Sequence, residues 1–310
     1  MQRSVQILLA TYNGEQFLEQ QLESLLQQTY TAFRVLIRDD GSTDNTLSIL
    51  QQYISKYPTK FFLLQDDRKN VGATQNFGIL LENADADYLF FCDQDDIWLS
   101  NKIEKSLNII CNLEAGQTST PCLVYSDMTA VDENGNVTFE SVWKQLDLHP
   151  AYFTLNRLLV QNIPHGCAIT INRSMAELAK PLPKQAILHD HWLALLAVCV
   201  GKHQGIETPL VLLRNHEQNV TRQKKYSFNK LKRFFENSQS RVMYEYFIAI
   251  RVAQAEALRD RLKSISYANP ILDNFILLKD SSSWQRKQLM LKNKFFRTTF
   301  WHTFKMILRA

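Results

Sequence analysis

No stretch of this chain approaches the roughly 18 consecutive apolar residues of a membrane-spanning helix, which argues against an integral membrane protein. The opening residues, MQRSVQILLATYNG, hold an apolar run of only about six residues and no small-residue cleavage site follows, so they do not read as a signal peptide. Low-complexity tracts and internal repeats are missing as well, which excludes solenoids and disordered tails as the main architecture. The five cysteines are odd in number and show no paired spacing, so a disulfide framework is not expected. Cys92 and Cys199 lie in apolar runs and read as packing residues. Neither GxGxxG nor a P-loop occurs, which excludes dinucleotide and Walker-type sites. These absences together suit a cytosolic protein in a reducing compartment.

What is present is an ordinary globular composition, 45% hydrophobic and 21% charged over 310 residues, enough for one large domain and an appendage. The net charge of +4 hides an asymmetry. Residues 222–310 carry 19 Lys/Arg against 6 Asp/Glu, while the first 221 residues carry 16 against 25. Opposite signs suggest two jobs, and the boundary is set at 1–221 and 222–310. Within the first part, VQILLAT (5–11), FRVLIRDD (33–40), KFFLLQ (60–65) and DYLFFCD (87–93) read as buried strands. Helical spacings lie between them, at 15–27, after a cap at Ser42, Thr43 or Asp44, and in GATQNFGILLEN. Alternating strands and helices predict an α/β fold with a mostly parallel sheet covered on both faces. Ligands in such folds bind beyond the carboxyl ends of the strands, and TYNG, DDGS and DQDD stand there. Further on, LVYSDMTAVDENGNV predicts two strands around Gly135, TLNRLLVQN a helix, CAITIN a strand, HDHWLALLAVCVG (189–201) an apolar helix with Asp190 near its start, and PLVLLRNHEQN a strand running into a turn.

Three carboxylates, Asp93, Asp95 and Asp96, fall within four positions of FFCDQDDIW. Asp93 and Asp95 are spaced i, i+2, so an extended chain would point both to one side. Such a pair suits a hard divalent cation, Mg²⁺ or Mn²⁺, that shares its shell with a substrate diphosphate. The alternative is a solvated acidic turn with Asp96 capping the next helix. DDGSTDNT lacks the register of a calcium loop. NVGATQN offers Gly72 and amide side chains, including Asn76, where a backbone can pass close to a ligand. His189, His191, Cys199 and His203 match no zinc-ligand spacing.

Taken together, T-Y-N-G, D-D-G-S-T-D, N-V-G-x-x-x-N and D-Q-D-D-I-W resemble glycosyltransferase family 2 over roughly residues 4–220. Within it, D-Q-D-D-I-W, N-I-P-H-G-C, H-D-H-W and R-N-H-E-Q-N-V-T resemble the bacterial rhamnosyltransferase-like branch, with His191 and Leu213-Arg214-Asn215 as departures. The resemblance implies the GT-A fold, a nucleotide-sugar donor (dTDP-rhamnose or a UDP-hexose), a divalent metal, Mn²⁺ or Mg²⁺, and inversion at the anomeric carbon. It implies that Thr11, Tyr12 and Asn13 line the pyrimidine and ribose site with Gly72 and Asn76 nearby, that Asp40 hydrogen-bonds the base, and that Asp93 contacts ribose or sugar. Asp95 would coordinate the metal, with His216 completing the contact, and Asp190 would be the general base. Trp98, His165 and Trp192 are candidates for the acceptor site; for the two tryptophans burial in the core is the alternative. Inverting displacement needs a base on the face opposite the leaving diphosphate. Asp190, 95 positions after Asp95, meets that need, with a plain helix-capping role as its alternative.

The tail NKFFRTTFWHTFKMILRA places Phe296, Phe300, Phe304 and Ile307/Leu308 on one stripe beside Trp301, with Lys294, Arg297, Lys305 and Arg309 as cations. That pattern fits a helix on an anionic membrane surface, serving a lipid-linked saccharide acceptor at the inner face of the plasma membrane. Packing on the catalytic domain or on a second subunit is the alternative. Nucleic acid is not expected as a partner, because no recognition motif accompanies the charge. Two rival functions are a nucleotidyltransferase and a non-catalytic nucleotide-sugar-binding module.

Overall fold

In the computed structural model, residues 3–216 and 238–310 are described. They divide into two compact units, one built from the segments Met1–Pro150 and Ile163–Arg214, the other from Ala151–Asn162 and Asn215–Ala310.

The first unit grows from apolar strands that alternate with helices. β1 (Val5–Thr11), α1 (Leu18–Leu26), β2 (Arg34–Asp39), α2 (Thr46–Lys56), β3 (Phe61–Leu63), α3 (Ala73–Glu82) and β4 (Tyr88–Cys92) follow the expected order. After them come β5 (Ile97–Trp98), α4 (Lys102–Glu114), β6 (Cys122–Ser126), β7 (Thr129–Val131), β8 (Val137–Phe139) and α5 (Val142–Leu146). α6 (Leu155–Leu158) belongs to the other unit. β9 (Ile169–Asn172), α7 (Arg173–Ala179), α8 (His189–Val200), β10 (Lys202–Ile206) and β11 (Val211–Arg214) complete the first. Seven strands form one sheet in the order β10-β6-β9-β4-β1-β2-β3. β9 alone runs antiparallel, to both β4 and β6; the other pairs are parallel. Ile7, Leu8, Leu9, Phe90 and Phe91 are wholly buried, because helices cover both faces of the sheet. Each such side chain contributes roughly 1.5–3 kcal/mol by leaving water.

A second sheet, β5-β11-β7-β8, was not foreseen as a separate layer. Its short strand β5 pairs antiparallel with β11, Trp98 opposite Val211 and Ile97 opposite Leu212. The acidic loop between β4 and β5 is therefore held at both ends, by the large sheet on one side and the small sheet on the other.

The second unit is helical. α9 (Ser238–Lys263) buries Tyr244, Ile248, Val252, Ala255, Leu258 and Leu262, a stripe at three- and four-residue spacing. α10 (Pro270–Ile276) starts behind the cap Asn269 with Pro270 at its first turn. α11 (Ser283–Lys292) starts with a capping box between Ser282 and Gln285. α12 (Phe300–Arg309) is capped by Thr299. The rings of Phe275 and Phe295 meet edge to face at 5.0 Å. The expected boundary at 221/222 differs from this division in one instructive way. Residues 151–162 were read with the first domain, yet they pack in the second unit. The Asn156 amide donates to the Asn293 carbonyl, Arg157 Nη1 to the Arg297 carbonyl at 3.0 Å, and Arg251 Nε to the Val160 carbonyl at 3.2 Å. Long polar side chains thus satisfy carbonyls of the turn between α11 and α12, a pairing no local periodicity reveals. The expected start of the second domain, at residue 222, lies outside the described residues. No described helix is long and apolar enough to cross a membrane.

Candidate active site

Loops at the carboxyl ends of β1, β2 and β4 are knit into one floor. Gln94 clamps Tyr12: its Oε1 accepts from the Tyr12 N–H at 2.8 Å and its Nε2 donates to the Tyr12 carbonyl at 2.9 Å. A Cβ at position 14 would lie 2.3 Å from Gln94 Oε1, so a larger residue than Gly14 would have to displace the clamping amide. Asn13, at a left-handed φ of 47°, accepts from the Thr43 N–H at 2.8 Å and donates its own N–H to Ser42 Oγ at 2.8 Å. Asp39 accepts from Thr11 Oγ1 at 2.9 Å and from the Gly41 and Ser42 N–H groups at 3.0 and 2.8 Å. α2 begins at Thr46, whose N–H donates to Asp44 at 3.0 Å; of the three cap candidates, Asp44 is the one that reaches it, although the cap position is Asn45.

Beneath this floor lies a buried guanidinium, Arg38. It donates to Asp66 at 2.7 Å, Asp40 at 3.1 Å, Asn76 at 3.0 Å and the Arg68 carbonyl at 2.6 Å. The Asp40 carboxylate is occupied further by the Val71 and Gly72 N–H groups, at 3.0 and 2.9 Å. Asp40, expected to meet the base, is instead a buried brace that shapes the 70–72 turn, where Gly72 holds φ 83°. Asn76 and Thr11 are likewise buried, and Asn76 ties Arg38 to the end of β1 through the Thr11 carbonyl at 3.3 Å. Of the expected nucleotide-site side chains, Tyr12 is the one that stands open, at 47% exposure.

The acidic loop bends at Gln94 and Asp95 rather than staying extended. In consequence the donors that converge are Asp93, Asp96 and Cys167, with ligand atoms within 4.8 Å of one another. Asp96 does not cap α4, which starts at Lys102. Its Oδ1 accepts from the Arg214 N–H at 3.1 Å, and its buried Oδ2 has no hydrogen-bond partner among the described residues. Burial, with Asp95 beside it, pushes the Asp96 carboxyl up to about 7. Burial and the neighbouring Asp96, Asp95 and Asp190 push Asp93 well above the usual carboxylate range. Arg214 fastens the loop from below: Nε donates to the Asp95 carbonyl at 3.0 Å, Nη1 to the Glu133 carbonyl at 2.6 Å and Nη2 to Gln20 Oε1 at 2.6 Å. Asp95 itself is half-buried. His216 stands two residues past β11, in a segment of the second unit, and is not in the converging group.

Asp190 enters from α8. The helix cap is Leu188, so Asp190 is a first-turn residue and not the cap. It is 6% exposed, and its Oδ1 accepts from the His191 N–H at 2.6 Å. His189 packs against Phe77 and Phe91, with ring centroids at 4.1 and 5.2 Å, and the two phenylalanine rings also meet each other at 5.7 Å. Burial holds His189 near 3 and His165 near 4, so both rings are neutral at physiological pH. Gly166 presses against this helix start: a Cβ there would lie 2.5 Å from His189 Nε2 and 3.8 Å from Asp190 Oδ2. The dipeptide Gly166–Cys167 therefore bridges the first turn of α8 and the acidic loop.

Two expected acceptor residues are core residues. Trp192 is fully buried and its Nε1 donates to the Ala179 carbonyl at 3.1 Å. Trp98, 2% exposed, packs its ring against Phe90 and the Lys102 ammonium. His165 is half-buried beside Gly166. The residues that sequence reasoning passed over are Gln94, Arg38, Asp39, Arg214, Cys167, Gly166 and Lys102. Six lie within or beside motifs already singled out, D-Q-D-D, D-D-G-S, R-N-H and P-H-G-C, but nothing local marks which of them face inward.

A mostly parallel sheet with an acidic loop past β4, faced by a carboxylate from a distant helix, is the architecture of the GT-A glycosyltransferases. It is similar to the crystal structure of S. aureus TarS residues 1–349 in complex with UDP, with a TM-score of 0.56 at 17% identity over 89% of this chain and 70% of that one. It is also similar to the mannosyltransferase PcManGT from Pyrobaculum calidifontis in complex with GDP-Man and Mn²⁺, with a TM-score of 0.53 at 16% identity over 94% of this chain and 74% of that one. Residues 6–177, more than half of the chain, match glycosyl transferase family 2, and the chain belongs to that family. A relative, the dTDP-rhamnosyl transferase RfbG of Shigella flexneri, is 30% identical over 222 residues, 68% of this chain and 72% of that protein. Several other curated relatives are matched over less than half of their own length.

Proposed function

We propose that this glycosyltransferase moves a hexose, L-rhamnose in the first instance, from a pyrimidine nucleoside-diphosphate sugar to a hydroxyl of a lipid-linked surface polysaccharide, with inversion and with a divalent metal. The observation that supports this reading is that the dipeptide Gly166–Cys167 adjoins both the Asp190 carboxylate and the acidic loop, although these are nearly a hundred residues apart in sequence. The likeness to RfbG supports the choice of dTDP-rhamnose over a UDP-hexose.

The acidic loop fits a hard cation. Asp96 Oδ2 is a buried acceptor without a partner, and Asp93 and Asp96 are crowded carboxylates whose repulsion a cation relieves. Asp95, with Asp93 or Asp96, would hold Mn²⁺ or Mg²⁺; when bound, the cation would stabilise the charge that develops on the leaving diphosphate. Tyr12, held by Gln94, would pack on the base. Asp190 Oδ2 would take the acceptor hydroxyl proton on the opposite face of the sugar, steered by the His191 N–H that holds Oδ1. His165 and Gly166 would line the acceptor side. The exposed Trp301, Phe304 and Leu308 of α12, with Lys305 and Arg309 on the same helix, would lie on anionic lipid at the inner face of the plasma membrane.

Asp190→Asn tests the assignment. Transfer, read as nucleoside-diphosphate release with Mn²⁺ and a panel of donors, should fall by roughly 10²–10⁴-fold while UDP or dTDP binding persists. Unchanged turnover would defeat the base assignment. Release of pyrophosphate from a nucleoside triphosphate would favour a nucleotidyltransferase, and donor binding without any turnover a binding module.

A further inference from the structure

Lys102 opens α4 with its side chain wholly buried, and its Nζ has no hydrogen-bond partner and no ion pair among the described residues. It rests on the faces of two rings, 4.5 Å from the centroid of Trp98 and 5.9 Å from that of Phe90. A buried ammonium is almost always paired, because desolvation is costly, and ring faces compensate only in part. Burial draws its pKa down to about 8, against the pull of Cys167, Cys92 and Asp96. The same three side chains mark where it stands: Asp96 and Cys167 belong to the converging donor group above it, and Cys92 ends β4.

We propose that Lys102 is a fixed counter-charge beneath the acidic loop, one that keeps the loop from gripping a bare divalent cation and so couples cation binding to arrival of the donor diphosphate. The inference rests on the metal-dependent reading above. With all three carboxylates ionised, as cation binding requires, Asp93, Asp95 and Asp96 are offset by Arg214 and Lys102 to a net of about −1. A divalent cation alone overcompensates that; the cation together with a doubly negative diphosphate leaves the balance as it was. Without the Lys102 charge the loop stands at about −2, which a bare cation neutralises outright. Lys102 is not a ligand, since an ammonium has no lone pair to offer and its Nζ rests on the Trp98 and Phe90 rings. It acts through the carboxylates and is a positioning residue.

Lys102→Met removes the charge at similar volume, and replacing a buried unpaired ion by an apolar chain should leave the melting temperature unchanged or higher. Mn²⁺ binding is read by electron paramagnetic resonance of the free ion, with and without UDP. In the wild type, UDP should strengthen Mn²⁺ binding by roughly tenfold or more. In the variant, Mn²⁺ alone should bind roughly tenfold tighter than to wild type, and the strengthening by UDP should shrink. Wild-type Mn²⁺ affinity with an undiminished UDP effect in a folded Lys102→Met protein overturns the proposal. If that variant does not fold, equal Mn²⁺ affinity with and without UDP in the wild type overturns it instead. Failure of the wild type to bind Mn²⁺ even with UDP defeats the metal-dependent reading itself, whatever Lys102 does.

Discussion

Replacing Gly166 by alanine adds one methyl group at the most crowded point of the cleft. The methyl would stand 2.5 Å from His189 Nε2 and 2.7 Å from Cε1, about 0.9 Å inside the 3.4 Å at which ordinary contact begins. The glycine is not in the left-handed region, so the backbone accepts alanine and the whole cost is steric. His189 is packed into a three-ring cluster with Phe77 and Phe91, which limits how far it can swing aside. The first turn of α8 must move, and Asp190 is the next residue on it. Overpacking of this kind costs roughly 1–3 kcal/mol of stability. A shift of the base approaching 1 Å costs on the order of 10²-fold in rate. The donor floor made by Tyr12, Gln94, Asp39 and Arg38 is built from other loops and should keep its shape. Gly166→Ala should therefore lower turnover at saturating donor by about 10²-fold, with UDP affinity by calorimetry changed by less than about threefold, well under 1 kcal/mol. A folded variant with near-native turnover would refute the placement of Asp190 against Gly166. Parallel loss of turnover and UDP binding would show that the two halves of the cleft are not independent.

Arg38→Met should destabilise the protein by roughly 3–5 kcal/mol in urea titrations, since it strands the buried Asp40 without its cation, while Asp66 keeps Arg68; a loss below 1 kcal/mol would mean that the brace is dispensable. The response to pH combines opposite signs. His165 near 4 and His189 near 3 lie below their ordinary value of 6.5, so their share of stability is complete above about 6.5 and is lost as the unfolded chain takes up protons down to about 4. Asp93 and Asp96 are raised, so ionising them in the folded state costs stability as pH climbs from about 4 towards 7. A bound divalent cation removes that second cost, and Mn²⁺ should raise the melting temperature more at pH 7.5 than at pH 5.5; equal shifts at both would contradict the assignment. In α12, Trp301→Ala with Phe304→Ala should release the protein from vesicles rich in anionic lipid with only a small change in melting temperature, because Trp301 is 67% and Phe304 42% exposed. Unaltered sedimentation would reject the membrane reading.

Much of the donor half was legible in the chain because its chemistry is local. Apolar runs of strand length, each closed by a short polar turn, dictate the alternation of β1 to β4 with α1 to α3, and hence that TYNG, DDGS and DQDD share one edge of a sheet. The roles within those turns were less legible. Thr11, Asp40 and Asn76 are the right types for ligand contact, yet Asp40 and Asn76 face inward as partners of Arg38, and Thr11 donates to Asp39. A polar side chain reads the same whether it braces a loop or meets a ligand. The tryptophans failed for a related reason: an aromatic ring that suits a sugar suits a core equally, and burial decided for the core at Trp98 and Trp192.

The sequence alone determined the fold class, the family and the three-carboxylate loop, because periodicity, turn chemistry and motif spacing act over a few residues. Only the tertiary structure decided which carboxylates converge, since the bend at Gln94–Asp95 is enforced by β5 pairing with a strand more than a hundred residues later. It likewise placed Cys167 and Asp190 against the loop, set Lys102 beneath it, and assigned residues 151–162 to the helical unit. Each of these depends on contacts between segments far apart in the chain, and such contacts are chosen by packing and by the satisfaction of buried polar groups, which leave no local signature.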